Sequence, residues 1–315
     1  MSWTRAASRE RVRIYEVGPR DGLQSEPATV PTATKRRFIE LLVDAGLREI
    51  EATSFVSPKA IPQLADADEL LRTLTQRDRV RYPVLVPNAR GLARAEAAGA
   101  DAIAVFTAAT DAYAERNIGM TVAESVRAFG PILRSANERG WWTRAYVSTA
   151  FGCPYTGRVA PERVVEVALR LADAGAGEIA ISDTIGVGVP SQVEVLVAAV
   201  GAGGLPIDRL AFHFHDTRGT ALANVVAAIG AGVRCFDAST GGVGGSPFAP
   251  GTTGNLATED LVYLLDGLGY DHGADLSLVL TAARFISDAL GRPLRTKVGL
   301  AGGWDPATGG PIGLA

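Results

Sequence analysis

Short runs of β-branched and aromatic residues recur along the chain, each followed by a longer segment whose apolar positions repeat every three to four residues. The short runs Arg11–Val17, Glu49–Thr53, Tyr82–Val86, Ala102–Phe106, Arg144–Thr149, Glu178–Ser182, Leu210–His215 and Arg234–Ala238 predict strands. The longer segments Thr34–Ala45, Leu64–Thr73, Arg90–Ala98, Val122–Arg139, Pro161–Ala174, Pro190–Val200, Arg218–Gly230 and Thr258–Leu268 predict helices. Four helix-to-strand joints share one device: Ala45-Gly46, Ala98-Gly99, Ala174-Gly175 and Ala231-Gly232 put glycine where a left-handed cap is cheapest.

Strict alternation of strand and helix builds a parallel sheet. Eight such units over about 250 residues close into an α/β (β/α)8 TIM barrel rather than an open, doubly wound sheet. No G-x-G-x-x-G follows the first strand and no Walker loop occurs, which removes the common nucleotide-binding readings. The expected organisation is one barrel over residues 1–275, with residues 276–315 as a short C-terminal helical and loop extension packed on it.

Composition adds mainly exclusions. A formal charge of −3 gives no electrostatic reason to expect nucleic acid or an anionic membrane as partner. No apolar run approaches the roughly 20 residues needed to span a bilayer. Two cysteines, Cys153 and Cys235, are too few for a disulfide framework and lack zinc-site spacing, so a reducing, cytoplasmic setting is expected. A homodimer or other homo-oligomer is expected.

A barrel carries its chemistry at the C-terminal ends of its strands, and reactive side chains collect there. Strand one runs into Arg20-Asp21-Gly-Leu-Gln24, strand two holds Glu51 and leads to Ser54, and strand six ends at Asp183. Strand seven ends at His213-Phe-His215, which takes two of the three histidines in the chain. Alternate strand residues share a face, so both imidazoles point the same way. Two core histidines are the plain alternative, but Asp21 and Asn255 also lie at strand ends and complete a set of two nitrogens and two oxygens. Such a mixed set suits six-coordinate Mg²⁺ or Mn²⁺ better than a closed zinc site. Arg20 beside that set is either a salt-bridge partner at the barrel mouth or, being always charged, a group placed to stabilise an enolate oxygen. The glycines of the segment Gly241–Gly254, which contains Ser246, suit a loose surface turn or a lid equally, and its position after strand eight favours a lid. Trp141 and Trp142, ahead of strand five, read as packing, Cys235 as core and His272 as a solvated loop residue.

Taken together, Gly18-Pro-Arg-Asp-Gly-Leu-Gln24, Thr53-Ser-Phe-Val-Ser-Pro-Lys59, Gly152-Cys-Pro-Tyr155, Asp183-Thr-Ile-Gly-Val-Gly188, His213-x-His-Asp-Thr217 and Gly254-Asn-Leu-Ala-Thr-Glu-Asp260 resemble the 3-hydroxy-3-methylglutaryl-CoA lyase family. The resemblance runs from about Arg13 to Leu268. It implies a divalent-metal-dependent retro-Claisen cleavage of a hydroxyacyl-CoA, with Asp21, His213, His215 and Asn255 as ligands and Arg20 on the thioester enolate. It further implies that His213 or Asp21 takes the hydroxyl proton, that Glu51 supports the site, and that Asp183 lies near substrate. Ser54, Asn117 and Gln24 fall where the family touches its acyl-CoA. Two positions depart from the family: Ser246 stands where it usually has a cysteine implicated in proton transfer, and Arg218 where tyrosine is frequent. A lyase for a longer 3-hydroxyacyl-CoA, a condensing or aldol-type enzyme on the same scaffold, and a metal-binding CoA-ester sensor are the alternatives.

Overall fold

The computed structural model describes residues 10–74, 79–245, 254–293, 296–304 and 309–312. Its main sheet is all parallel: β1 (Arg13–Glu16), β2 (Glu49–Ile50), β3 (Thr53–Ser54), β4 (Val84–Leu85), β5 (Ala102–Ala108), β6 (Trp142–Ser148), β7 (Glu178–Asp183), β8 (Leu210–Phe214) and β9 (Cys235–Ala238). The order β2-β1-β9-β8-β7-β6-β5-β4-β3 begins and ends on neighbouring segments of chain. Residues 49–54 are in effect one interrupted strand. The Glu51 amide donates to the Glu16 carbonyl at 2.8 Å on one side, and the Ala52 amide donates to the Pro83 carbonyl at 2.9 Å on the other. That bridge closes the sheet into the (β/α)8 barrel.

Strand alternation sorts the side chains into two cores. Facing the helices, Ile14, Ile103, Val105, Ile179, Ile181, Phe212 and Phe236 join one large apolar shell. Inside the barrel, Tyr15, Val17, Leu85, Ala104, Tyr146, Ala180, Ala211 and Cys235 form a second cluster. The small inward alanines leave room for buried charges, including Arg144, Glu51 and Asp237.

The outer ring is α1 (Thr32–Asp44), α2 (Ala67–Thr73), α3 (Ala89–Ala97), α4 (Asp111–Ile118), α5 (Val122–Glu138), α6 (Pro161–Asp173), α7 (Pro190–Ala202), α8 (Ala221–Gly230) and α9 (Thr258–Leu268). The cap glycines behave as the pattern predicts, with φ of 96°, 89°, 110° and 100° at Gly46, Gly99, Gly175 and Gly232. At Gly46 a Cβ would also sit 2.1 Å from the Gly273 carbonyl oxygen, so no other residue fits.

Four details depart from the pattern. The short helix α4 was not anticipated. The strand predicted over Tyr82–Val86 shrinks to Val84–Leu85 because Pro83 has no N–H to give a ladder. Trp142 opens β6 rather than preceding it, pairing with Ala102 and stacking on Tyr15 at 6.0 Å at the barrel floor. His272 is buried rather than solvated, and its Nε2 lies 2.9 Å from the Asp266 carboxylate.

The C-terminal segment packs α10 (Leu276–Leu290) against α1, burying Val279, Leu280, Ala283 and Ile286, and the Asp275 side chain caps its start. Next come α11 (Lys297–Ala301) and the antiparallel pair β10 (Gly303–Trp304) and β11 (Pro311–Ile312). Among the described residues no helix is long and apolar enough to cross a membrane.

Candidate active site at the barrel mouth

After β1 the chain makes one wide helical turn, Gly18–Gly22, in which the Gly22 amide reaches back to the Val17 carbonyl at 3.1 Å. Such i→i+5 turns are rare and concentrate at functional sites. This one is pinned from below by Glu16, fully buried at the end of β1. Its carboxylate accepts from the Gly18 amide at 2.8 Å, the Thr240 amide at 2.9 Å, and the Thr240 and Thr258 hydroxyls at 2.7 Å each. Strand one, strand nine and α9 are thereby tied together under the turn that presents Arg20 and Asp21.

Arg20 is wedged between two carboxylates. Its Nε donates to Glu51 Oε2 at 2.7 Å and its NH1 to Asp21 Oδ1 at 2.7 Å, and it lies 5.7 Å from the Tyr146 ring centroid. The Tyr146 hydroxyl also donates to Glu51 Oε2, at 3.2 Å. Glu51 sits at the break between β2 and β3, and burial raises its carboxyl above the usual range although Arg20 opposes this.

Asp21, His213 and His215 offer ligand atoms that all lie within 4.8 Å of one another. His213 faces inward from β8, and its Nδ1 donates to Asp237 Oδ2 at 3.1 Å, leaving Nε2 as the remaining ring nitrogen. Asn255 joins them through a non-local pairing. The segment 254–257 returns along the ends of β8 and β9, bridging His215 to Asn255 and Ser239 to Ala257. There Asn255 Nδ2 donates to Asp21 Oδ2 at 2.9 Å and to the Val243 carbonyl at 3.1 Å. A Cβ at Gly244 would lie 2.6 Å from that nitrogen, so the approach requires glycine.

This cluster fits a divalent cation. Asn255 Oδ1 and His215 Nδ1 are buried with no hydrogen-bond partner, an arrangement that costs on the order of 1–3 kcal/mol per group unless something else engages the side chain. Burial and the neighbouring His213 push His215 down to about 3, which keeps it neutral and able to ligate. Burial works to raise the Asp21 carboxyl, but Arg20 and the two imidazoles outweigh it and hold Asp21 below its ordinary value. For His213 burial disfavours the charged form, yet the bond and charge of Asp237 leave it raised.

Other residues singled out in the sequence are placed differently. Asp183 spends both oxygens on its own loop, accepting from the Val187 amide at 3.0 Å and the Gly188 amide at 2.8 Å. Arg218 donates NH1 to the carbonyls of Ile185 and Gly186, at 2.7 and 3.0 Å, so it fastens that same loop to the end of β8. Ser54 is buried and hydrogen-bonds the backbone of Val56 and Leu85. Gln24 is half-buried just beyond the wide turn, with Oε1 unpartnered. Asn117 is half-buried on α4. Ser246 lies outside the described residues, as does most of the glycine-rich segment. Three contributors escaped the sequence reading: Glu16, Tyr146 and Asp237. Their signal was a buried polar or acidic residue within a strand: Tyr146 and Asp237 face the barrel interior, whereas Glu16 faces the helices.

Fold and site together define a β/α-barrel enzyme with a group of imidazole and carboxylate donors that could hold a metal ion and an arginine beside it. The HMGL-like family profile matches residues 11–286. A hydroxymethylglutaryl-CoA lyase of Pseudomonas mevalonii is 49% identical over 292 residues, covering 93% of this chain and 97% of that protein. The crystal structure of the Bacillus subtilis HMG-CoA lyase superposes with a TM-score of 0.90 at 42% identity, covering 94% of this chain and 99% of the other. An HMG-CoA lyase from Acinetobacter baumannii, solved in complex with coenzyme A and 3-methylmalate, gives a TM-score of 0.89 at 37% identity over 93% of this chain and 95% of its own. The chain belongs to the HMG-CoA lyase family.

Proposed function

We propose that this protein cleaves 3-hydroxy-3-methylglutaryl-CoA to acetoacetate and acetyl-CoA, using Mg²⁺ or Mn²⁺ held by Asp21, His213, His215 and Asn255. The observation that carries the reading is the wedge of Arg20 between Asp21 and Glu51, directly beside the cluster. When bound, the cation supplies Lewis acidity that lowers the pKa of the substrate hydroxyl.

The remaining roles belong to the chain. Asp21 takes the C3 hydroxyl proton. Lone-pair arithmetic selects it over His213, whose Nδ1 is committed to Asp237 and whose Nε2 has a single lone pair to spend on the metal. A carboxylate can ligate and still accept a proton. The C3 oxygen then reforms a carbonyl, the C2–C3 bond breaks, and its electron pair passes into the thioester as an enolate. Arg20 meets that charge with a guanidinium already oriented by Glu51, so little reorganisation is needed as charge develops. Protonation of C2 completes the turnover. Of the acyl-CoA contacts implied by resemblance, Ser54, Gln24 and Asn117 remain proposals, as does a role for Asp183 in shaping the loop that faces substrate. Two buried, unpaired cysteines support a reducing, cytoplasmic setting.

The test is acetyl-CoA release from a panel of 3-hydroxyacyl-CoAs. The reading expects the highest kcat/KM on 3-hydroxy-3-methylglutaryl-CoA. A clear preference for a longer or differently branched acyl chain would move the assignment to that substrate, and Ser246 and Arg218 are where the chain departs from its family.

A further inference from the structure

Below the site, the barrel interior holds a line of alternating charges that reaches the cluster at one point. Arg144, on β6, is completely buried, and its guanidinium contacts the Asp237 carboxylate on β9 and lies 3.5 Å from Glu178 on β7. Glu178 is in turn paired with Arg13 at the barrel floor. Upward, Asp237 holds His213 Nδ1. Arg144 Nε and NH1 make no hydrogen bond, and the guanidinium stacks 3.8 Å over the Tyr15 ring and 5.0 Å from that of Tyr146. A buried arginine with part of its fork unpaired is costly, and hydrophobic side chains fill most barrel interiors. Packing alone does not call for it.

We propose that Arg144 is a positioning residue for the metal site: it anchors Asp237, and Asp237 fixes the ring orientation and tautomer of His213. The inference rests on the reading that His213 is a metal ligand. Histidine ligands commonly depend on the partner of their other nitrogen, which sets which nitrogen carries the proton. Here that partner is itself held by a buried cation reached from a third strand. The rings of Tyr15 and Tyr146 both lie against the guanidinium and restrict its movement toward another carboxylate. Lysine cannot replace it, because a single ammonium does not span Asp237 and Glu178 while lying flat on Tyr15.

The test is Mn²⁺ binding to metal-stripped full-length protein, read by electron paramagnetic resonance with no substrate present. Folding of each variant is checked by circular dichroism. Arg144→Met and Asp237→Asn are each expected to weaken Mn²⁺ binding about 10- to 100-fold. The double variant is expected to be no weaker than Asp237→Asn alone, because Arg144 acts through Asp237. A folded Arg144→Met protein with wild-type affinity, or losses that multiply in the double variant, would overturn the proposal. Should Arg144→Met fail to fold, Arg144→Lys decides: several-fold weaker binding supports the relay and unchanged binding refutes it. If the wild type itself binds no Mn²⁺, the metal reading fails first and the relay with it. If the wild type binds and the variants bind equally well, only the relay fails.

Discussion

In the proposed mechanism Arg20 and Asp21 divide the chemistry between adjacent residues. Replacing Arg20 by lysine keeps the charge but loses the planar fork that bridges Asp21 and Glu51. Charge on the enolate exists only along the reaction path, so Arg20→Lys should lower kcat by on the order of 10²–10³-fold with little change in KM. Steady-state kinetics that show a raised KM at near-normal kcat would reassign Arg20 to substrate binding. Asp21→Asn is the complementary test. An amide oxygen still ligates but makes a very poor base, so Mn²⁺ binding should persist, weakened, while turnover falls by about 10²-fold or more. Retained turnover would return the proton to His213 or to water. Both residues were legible in the sequence because they follow a strand directly. Asp237 was not. Within Cys235–Ala238 it is one acidic residue on a short apolar strand, and only the register of β9 against β8 sets it opposite His213.

At the scale of elements, the joints were read well and the interruptions poorly. Helix C-caps announce themselves through glycine, whereas the break between β2 and β3 reflects pairing with two different neighbours, which no local pattern encodes. The return of Asn255 to His215 is likewise long-range. The sequence could nominate Asn255 but could not show that a strand-like segment carries it between β8 and β9. A second joint of this kind makes a pH prediction. Glu259, buried at the start of α9, accepts from the Gly241 amide at 3.1 Å and the Thr296 hydroxyl at 2.7 Å, linking the glycine-rich segment to the cap of α11. Burial lifts its carboxyl from 4.5 to about 7, although those bonds oppose the shift. The folded state therefore holds a proton that the unfolded chain has released, and stability from this group is lost as pH rises from about 4.5 through about 7. The loss amounts to about 3 kcal/mol at most. Glu259→Gln mimics the protonated acid, accepting from Gly241 and donating to Thr296. Its Tm relative to wild type should climb across that window and level off above it. A difference independent of pH would show that Glu259 is not the titrating group.

For the whole molecule, strand–helix alternation was sufficient to reach the barrel, and the strand-end rule was sufficient to nominate Asp21, His213 and His215, which the fold brings together. What lay beyond the sequence was the interior. A barrel lined with small residues such as Ala104, Ala180 and Ala211 has space for Arg144, Glu51 and Tyr146, and these connect the floor to the mouth. Fold and site meet at Glu16, whose four accepted hydrogen bonds tie the turn that carries Arg20 and Asp21 to the end of β9 and the start of α9. The central proposal is a divalent cation bound by Asp21, His213, His215 and Asn255 and required for carbon–carbon cleavage. The most direct test follows acetyl-CoA formation from 3-hydroxy-3-methylglutaryl-CoA by chelator-treated protein, before and after addition of Mg²⁺ or Mn²⁺. No turnover is expected in the stripped protein and recovery on addition of either metal, whereas full activity in a verified metal-free preparation would contradict the metal requirement.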